Sequence, residues 1–224
     1  MGNFNLKNFG GKQLNMLIAG VDEVGVGSIC GPLLVCIAIF DDSDSMLYEI
    51  KDSKKLSHKQ RVDASGRIKQ RVVEYQFGWA SPSEIDKYNT FVARDMAAVR
   101  AFEKVINKPH LIYMDGNHKV DYNNGIKQKA LVRGDERQWQ IGCASILAKL
   151  HRDKYMINIS ENRYDNKYDW SNNKGYYSPK HKEALLEYGV SPLHRMRFFS
   201  VGQALYERGE ISKKEFESNY KKRH

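Results

Sequence analysis

A mixed α/β fold, with a central sheet flanked by helices and a small helical C-terminal extension, is the fold class that this 224-residue chain predicts. Three observations carry the prediction. Short apolar runs of strand length occur near residues 18, 36 and 112; stretches with three- and four-residue apolar spacing alternate with them; and the residues from 161 onward are polar, with clear helix punctuation.

Met16-Leu17-Ile18-Ala19-Gly20-Val21 reads as a buried strand that ends on Asp22-Glu23. After Gly25-Val26-Gly27-Ser28, the Val-, Ile- and Leu-rich run Leu33 to Phe40 reads as a second strand, and so short a connection suits an antiparallel hairpin. Val73, Tyr75, Phe77 and Trp79 alternate with Glu74, Gln76 and Gly78, which predicts a third, half-buried strand. From Asn89 to Ile106 the positions Val92, Met96, Val99, Phe102 and Ile106 form the stripe of an amphipathic helix, which Lys108-Pro109 closes. His110 to Met114 follows as a buried strand ending on Asp115. A second helix is expected over Gln140 to Asn158, turning Ile141, Ala144, Leu147 and Ala148 to a core and placing Ser145, Lys149 and Asp153 at i, i+4 and i+8.

Ser178-Pro179 is an N-cap with proline at the first helical position, and Gly189 ends that helix. Ser212-x-x-Glu215 is a capping box for a short final helix, and the basic tail Lys221 to His224 is expected to fray. No internal repeat or Gly/Ser-rich linker interrupts the chain. We therefore expect residues 1–160 to form the core and residues 161–224 a helical subdomain that completes the substrate site.

The longest apolar runs fall far short of the ~20 residues that a spanning helix needs. The first residues, MGNFNLKNFGGKQLN, lack a charged-then-apolar export pattern, so a cytoplasmic location is expected. Cys30, Cys36 and Cys143 are odd in number, lack C-x-x-C spacing and sit among apolar neighbours; buried thiols in a reducing compartment follow. Thirty-six Lys and Arg against 27 Asp and Glu give a net charge of +9, which favours a polyanionic partner.

Acids directly after an apolar strand must find a counter-charge or lose their ionised form. Asp22, Glu23, Asp115 and Asp153 offer only oxygen ligands, and no His or Cys shares a ligand spacing with them, so Mg²⁺ or Mn²⁺ suits them better than zinc. Two such ions about 4 Å apart would clamp the attacking and leaving oxygens of a phosphodiester. A basic chain with an acidic centre is thus a coherent design for phosphoryl transfer.

The wording around these acids adds to that. Gly20-Val21-Asp22-Glu23-Val24-Gly25-x-Gly27 with Gly31-Pro32, then Asp52-Ser53-Lys54-Lys55-Leu56-Ser57, Asp115-Gly116-Asn117 and Arg133-Gly134-Asp135 follow one another in order. They are followed by Ala144 to Lys149 with Arg152-Asp153, then Gly175-Tyr176, His181 and Ser191-Pro192-x-His194-Arg195. Together these blocks resemble the type 2 ribonucleases H, the bacterial ribonuclease HII group, over residues 17 to 200.

The resemblance implies an RNase H-like fold, with Asp22, Glu23, Asp115 and Asp153 as catalytic carboxylates that bind two Mg²⁺ or Mn²⁺ ions. It also implies the substrate, an RNA/DNA hybrid or a DNA duplex with embedded ribonucleotides. The cut would fall 5′ to a ribonucleotide and leave 3′-hydroxyl and 5′-phosphate ends. Tyr176 matches the tyrosine that reads the ribose, while Gly25 and Gly27 bare the backbone for approach to the 2′-hydroxyl. Lys54, Lys55 and Lys149 are candidates for phosphate contacts, and Lys149 could alternatively steady Asp153. His181 and His194 read as structural hydrogen-bonders.

Three positions depart from the pattern. Val26 stands where the family carries Arg or Lys, Tyr177 where it carries glycine, and Trp139 where smaller residues are usual. The first implies weaker or less selective junction recognition, since a valine side chain neither donates hydrogen bonds nor attracts phosphate. Two other readings stay open: another RNase H-fold nuclease of resolvase or transposase type, and a hybrid-binding protein with reduced or lost catalysis. The first would lack the D-S-K-K-L-S and tyrosine blocks, and in the second four carboxylates would repel the phosphate backbone. The sequence shows no sliding-clamp-binding string in its final helix, and a monomer is expected.

Overall fold

The computed structural model describes residues 16–44, 47, 50, 56–122 and 125–220. Lys54, Lys55 and the tail Lys221 to His224 lie outside the described residues. Five strands, β1 (Leu17–Val24), β2 (Leu33–Asp41), β3 (Glu74–Ala80), β4 (Leu111–Asp115) and β5 (Lys127–Leu131), form one sheet in the order β3-β2-β1-β4-β5. β1 and β2 are antiparallel, from Leu17 opposite Asp41 to Val24 opposite Leu34. β4 runs parallel to β1, and β5 parallel to β4. The sheet is therefore mixed, as expected.

Between and after the strands come α1 (His58–Lys69), α2 (Pro82–Tyr88), α3 (Thr90–Glu103), α4 (Gly134–Arg137), α5 (Trp139–Arg163), α6 (Trp170–Asn173), α7 (Pro179–Tyr188), α8 (Phe199–Glu207) and α9 (Lys213–Tyr220). The chain divides into two compact units. The first comprises Met1–Val24, Leu34–Trp79 and Asp95–Leu150; the second comprises Gly25–Leu33, Ala80–Arg94 and His151–His224. Residue 160 lies inside α5, which continues unbroken to Arg163.

In the first unit β2 is buried along its whole length, which is why its sequence is apolar at consecutive positions rather than alternating. Leu34, Cys36, Ala38 and Phe40 pack with Ile68 of α1 and with Trp139, Cys143, Ala144 and Leu147 of α5. Trp139 meets Phe40 edge to face, with ring centroids 4.8 Å apart. The unusual tryptophan is thus a core residue.

The stripe expected on α3 is out of register with the core. Ala93, Ala97, Ala101 and Phe102 are buried, whereas Val92 is 44% exposed and Ile106, beyond the end of the helix, is 70% exposed. The cause is Gly78. A Cβ there would stand 1.8 Å from the carbonyl oxygen of Ala97, so the helix and β3 meet backbone to backbone and only alanine fits the face between them.

The second unit has its own core of Ile29, Cys30, Met156, Tyr168, Trp170, Leu185, Val201 and Leu205. Tyr168 stacks on Trp170 with centroids 4.7 Å apart. Ser178 caps α7 by accepting from the His181 N–H, and Gly189 at φ 75° ends it. Ser212 and Glu215 form the expected box before α9: the Ser212 N–H donates to Glu215, and the Glu215 N–H to the serine hydroxyl. All three cysteines are buried and free.

Candidate active site

Both strands that carry the expected acids run one step further than their apolar residues. β1 includes Asp22 and Glu23, and β4 includes Asp115. Val21 pairs with Met114 in parallel register, so the next step sets Asp22 beside Asp115 at the carboxyl ends of neighbouring strands. Parallel neighbours in register project their side chains to the same face.

Asp22 is only 5% exposed. Its Oδ1 accepts the Glu23 N–H at 2.8 Å, and its carboxylate also accepts from the Ser145 hydroxyl on α5. Burial is the main force on this group and pushes its pKa well above the ordinary carboxylate range; the negative charges of Glu23 and then Asp115 add to the rise, against the two hydrogen bonds. Asp115 is anchored separately. Its Oδ1 accepts the Gly134 N–H at 2.6 Å, where the chain enters α4. Leu131 fixes the approach to that turn by accepting the Gly116 N–H at 3.0 Å.

The charges of Glu23 and Asp115 thus both act on Asp22 in the first unit, and this buried carboxylate is destabilised as an anion. This is the state of a donor set that fits a divalent cation: oxygen ligands only, held by backbone and hydroxyl donors, with excess negative charge. Among the described residues no three His, Cys, Asp or Glu side chains form a ready-made ligand cage. Mg²⁺ sites commonly use one or two carboxylates and take further ligands from water and substrate phosphate.

Asp153, buried on α5, belongs to the second unit and follows Arg152. Gly25, Val26, Gly27 and Tyr176 belong to that unit too. Gly25 sits at φ 88°, and a Cβ on it would lie 2.3 Å from Nε of Arg152, so glycine is required there by conformation and by space. Val26 and Gly27 are exposed. Gly175 accepts the N–H groups of Ile29 and Cys30 at 3.0 and 3.1 Å, which ties the loop to the Gly175-Tyr176 segment. The Arg152 guanidinium lies 5.5 Å from the centroid of the Tyr176 ring. The structure therefore brings the expected ribose-reading residues together within one unit. Lys149 is half-buried on α5 in the first unit.

His181 and His194 are hydrogen-bonding residues, as expected. His194 Nδ1 accepts the Ser191 N–H at 2.8 Å, which leaves its Nε2–H to donate to His181 Nε2 at 3.0 Å. His181 Nδ1 then donates to the Tyr176 carbonyl at 2.9 Å. The tyrosine backbone is thereby fixed from Ser191.

Sequence reasoning quoted Arg152 and Arg195 without giving them a role. Both are fully buried, and their donors reach the carbonyls of the loop. A signal was available for one of them. Ala144, Ala148, Arg152 and Met156 recur every four residues, all fully buried, and an arginine inside such a stripe must be satisfied internally.

With this geometry in place, the comparisons with known proteins agree with one another. A family model described as Ribonuclease HII matches residues 19–201. The chain is 42% identical over 189 residues to a ribonuclease HII of Trichormus variabilis, covering 83% of each. It is 37% identical over 195 residues to a ribonuclease HII of Alteromonas mediterranea, covering 87% of this chain and 100% of that one. The structure is similar to the ribonuclease H2 of Pyrococcus horikoshii, with a TM-score of 0.76, 25% identity and coverage of 88% of this chain and 100% of that one. The mixed five-stranded sheet with its helices is the RNase H-like fold.

Proposed function

The chain belongs to the ribonuclease HII family, and from that premise we propose that it hydrolyses the phosphodiester 5′ to a ribonucleotide in RNA/DNA hybrids and in DNA duplexes with embedded ribonucleotides, leaving 3′-hydroxyl and 5′-phosphate ends. It is a hydrolase, an endonuclease of the ribonuclease H type. The observation that carries the finer reading is the buried Asp22 beside Glu23 and Asp115, an anionic group whose own fold disfavours its charge.

In this reading Asp22, Glu23, Asp115 and Asp153 hold two Mg²⁺ or Mn²⁺ ions. When bound, such ions would supply positive charge that lowers the pKa of an attacking water and offsets charge on the departing 3′ oxygen. Ser145 and the Glu23 N–H orient the Asp22 carboxylate, and the Gly134 N–H fixes one oxygen of Asp115 so that the other is presented. Gly25 and Gly27 bring the backbone to the 2′-hydroxyl; Tyr176 stacks on the sugar and hydrogen-bonds there. Lys54, Lys55 and Lys149 contact phosphates, in keeping with the net charge of +9. The enzyme acts as a monomer in the cytoplasm. Among the described residues no helix is long and apolar enough to cross a membrane.

Asp22→Asn tests the metal reading. Wild type should cut an RNA/DNA hybrid with Mg²⁺ and not with chelator, and Mg²⁺ at a hundredfold excess over its Kd should stabilise it by about 2.7 kcal/mol. The variant should keep its circular dichroism, lose cleavage by at least two orders of magnitude and lose the Mg²⁺-dependent rise in melting temperature. Full activity in chelator, or an unchanged metal response in the variant, would contradict the assignment.

A further inference from the structure

The Gly25–Pro32 segment lies over two buried guanidinium groups. Arg152 donates from Nε to the Pro32 carbonyl at 2.9 Å, from Nη1 to the Lys174 carbonyl at 2.9 Å, and from Nη2 to the Ser28 hydroxyl at 2.7 Å and the Cys30 carbonyl at 3.2 Å. Arg195 donates from Nε to the Gly31 carbonyl at 3.0 Å and from Nη1 to the Val26 carbonyl at 2.9 Å. The Ser28 hydroxyl passes the tether on by donating to the Gly25 carbonyl at 3.0 Å.

Both arginines are fully buried, and among the described residues neither forms an ion pair with a carboxylate. The remaining Nη2 of Arg195 has no acceptor among the described residues. Burial, and next the like charge of Arg152, push the Arg195 pKa down to about 9, so the group is still cationic at neutral pH. Two close, buried cations without a direct carboxylate partner, offset only by the charges of Asp153 near Arg152 and Asp86 near Arg195, are a poor way to stabilise a fold, because apolar side chains of similar size would fill the same space at lower cost. Their geometry does something else. A trans peptide points its C=O and N–H in opposite directions. With the Val26 carbonyl drawn inward to Arg195, the N–H of Gly27 in the same peptide is turned outward, on an exposed residue.

We propose that Arg195 is a positioning residue for ribose recognition: its buried guanidinium holds the Val26–Gly27 peptide with the Gly27 N–H towards the substrate 2′-oxygen, and places beneath the loop a positive charge where the Val26 side chain supplies none. The proposal rests on the reading of Gly25–Gly27 as the ribose-contacting segment. Arg152, which holds the other half of the loop, makes the turn rigid.

Binding, rather than cleavage, tests it. Affinities are measured by fluorescence anisotropy in chelator for two duplexes of one sequence, one with a single ribonucleotide and one all DNA. Wild type should prefer the ribonucleotide duplex. Arg195→Met, which keeps an unbranched apolar stem and removes charge and donors, should lower that preference about tenfold, the size of one lost hydrogen bond of ~1.4 kcal/mol. Arg195→Lys, which keeps the charge and one donor, should lower it about threefold. An unchanged preference in either variant, or equal loss of affinity for both duplexes, would overturn the role; if the methionine variant fails to fold, the lysine variant decides. A wild type with no preference for the ribonucleotide duplex would overturn the underlying reading of the loop, and the proposal with it.

Discussion

Asp22 and His194 are both buried ionisable side chains, and burial moves them in opposite directions because it always disfavours the charged form. For Asp22 this raises the pKa, and the neighbouring acids raise it further. Under the proposed function a bound cation would reverse that balance. For His194 burial, with the proximity of His181, lowers the pKa from 6.5 to about 3. The neutral imidazole is what the relay from Ser191 to Tyr176 needs, since a proton on His194 Nδ1 would face the Ser191 N–H. The unfolded chain takes up this proton near pH 6.5 and the folded chain resists it down to about 3. Stability from His194 is therefore complete above pH 6.5 and lost as the pH falls from there towards 3, at about 1.4 kcal/mol per unit. Urea denaturation at pH 7 and pH 5 should show wild type losing ~2 kcal/mol more than His194→Asn. Equal losses in the two proteins would show that His194 does not carry the effect. Of the four acids, Asp22, Glu23 and Asp115 were legible at strand exits and Asp153 on a helix face. The depth of Asp22 and its bond from Ser145 were not, because both depend on where α5 lies against β1.

At the scale of elements, what the sequence makes legible is set by how each element is buried. β2, covered on both faces, declares itself by a continuous apolar run, and α5 by its long internal stripe. β5 does not: it is an edge strand with Lys127 and Lys129, and charged edges are how sheets avoid further pairing, so its pattern is not that of a buried strand. α1 and α2 were not anticipated, although Ser57-x-x-Gln60 and Ser81-x-x-Glu84, capping boxes of the kind read at Ser212, carried the signal for them. The face of α3 was not legible, because the stripe of large residues competes with a face of alanines, and only the close approach at Gly78 decides between them. Gly78→Ala should push the backbones apart and cost about 1–3 kcal/mol, with a melting temperature lower by about 2–4 °C for each kcal/mol. Gly66→Ala, in α1 with nothing within 4 Å of the new methyl, should raise stability by up to about 1 kcal/mol. A neutral Gly78→Ala would show that α3 does not pack on β3 at backbone distance.

For the whole molecule, charge and fold act together. A net charge of +9 favours a polyanionic partner, while under the proposed function the acids at the ends of β1 and β4 would be offset by metal ions. Six ordered blocks made the family readable from sequence, and the model match over residues 19–201 agrees with the span of those blocks. The division of the chain into two units was not readable, because Gly25–Leu33 and Ala80–Arg94 join a unit formed mainly from residues far along the chain. Contacts of that kind leave little local pattern: Arg195 looks, in sequence, like a solvated arginine, and only the apolar stripe through Arg152 marks the other. The most direct measurement of the central claim is to map, to the nucleotide, the products from a DNA duplex with one embedded ribonucleotide, with Mg²⁺ or Mn²⁺ and with chelator. The account predicts a metal-dependent cut immediately 5′ to the ribonucleotide, with 3′-hydroxyl and 5′-phosphate ends. Binding without cutting, or cutting at another position, would contradict it.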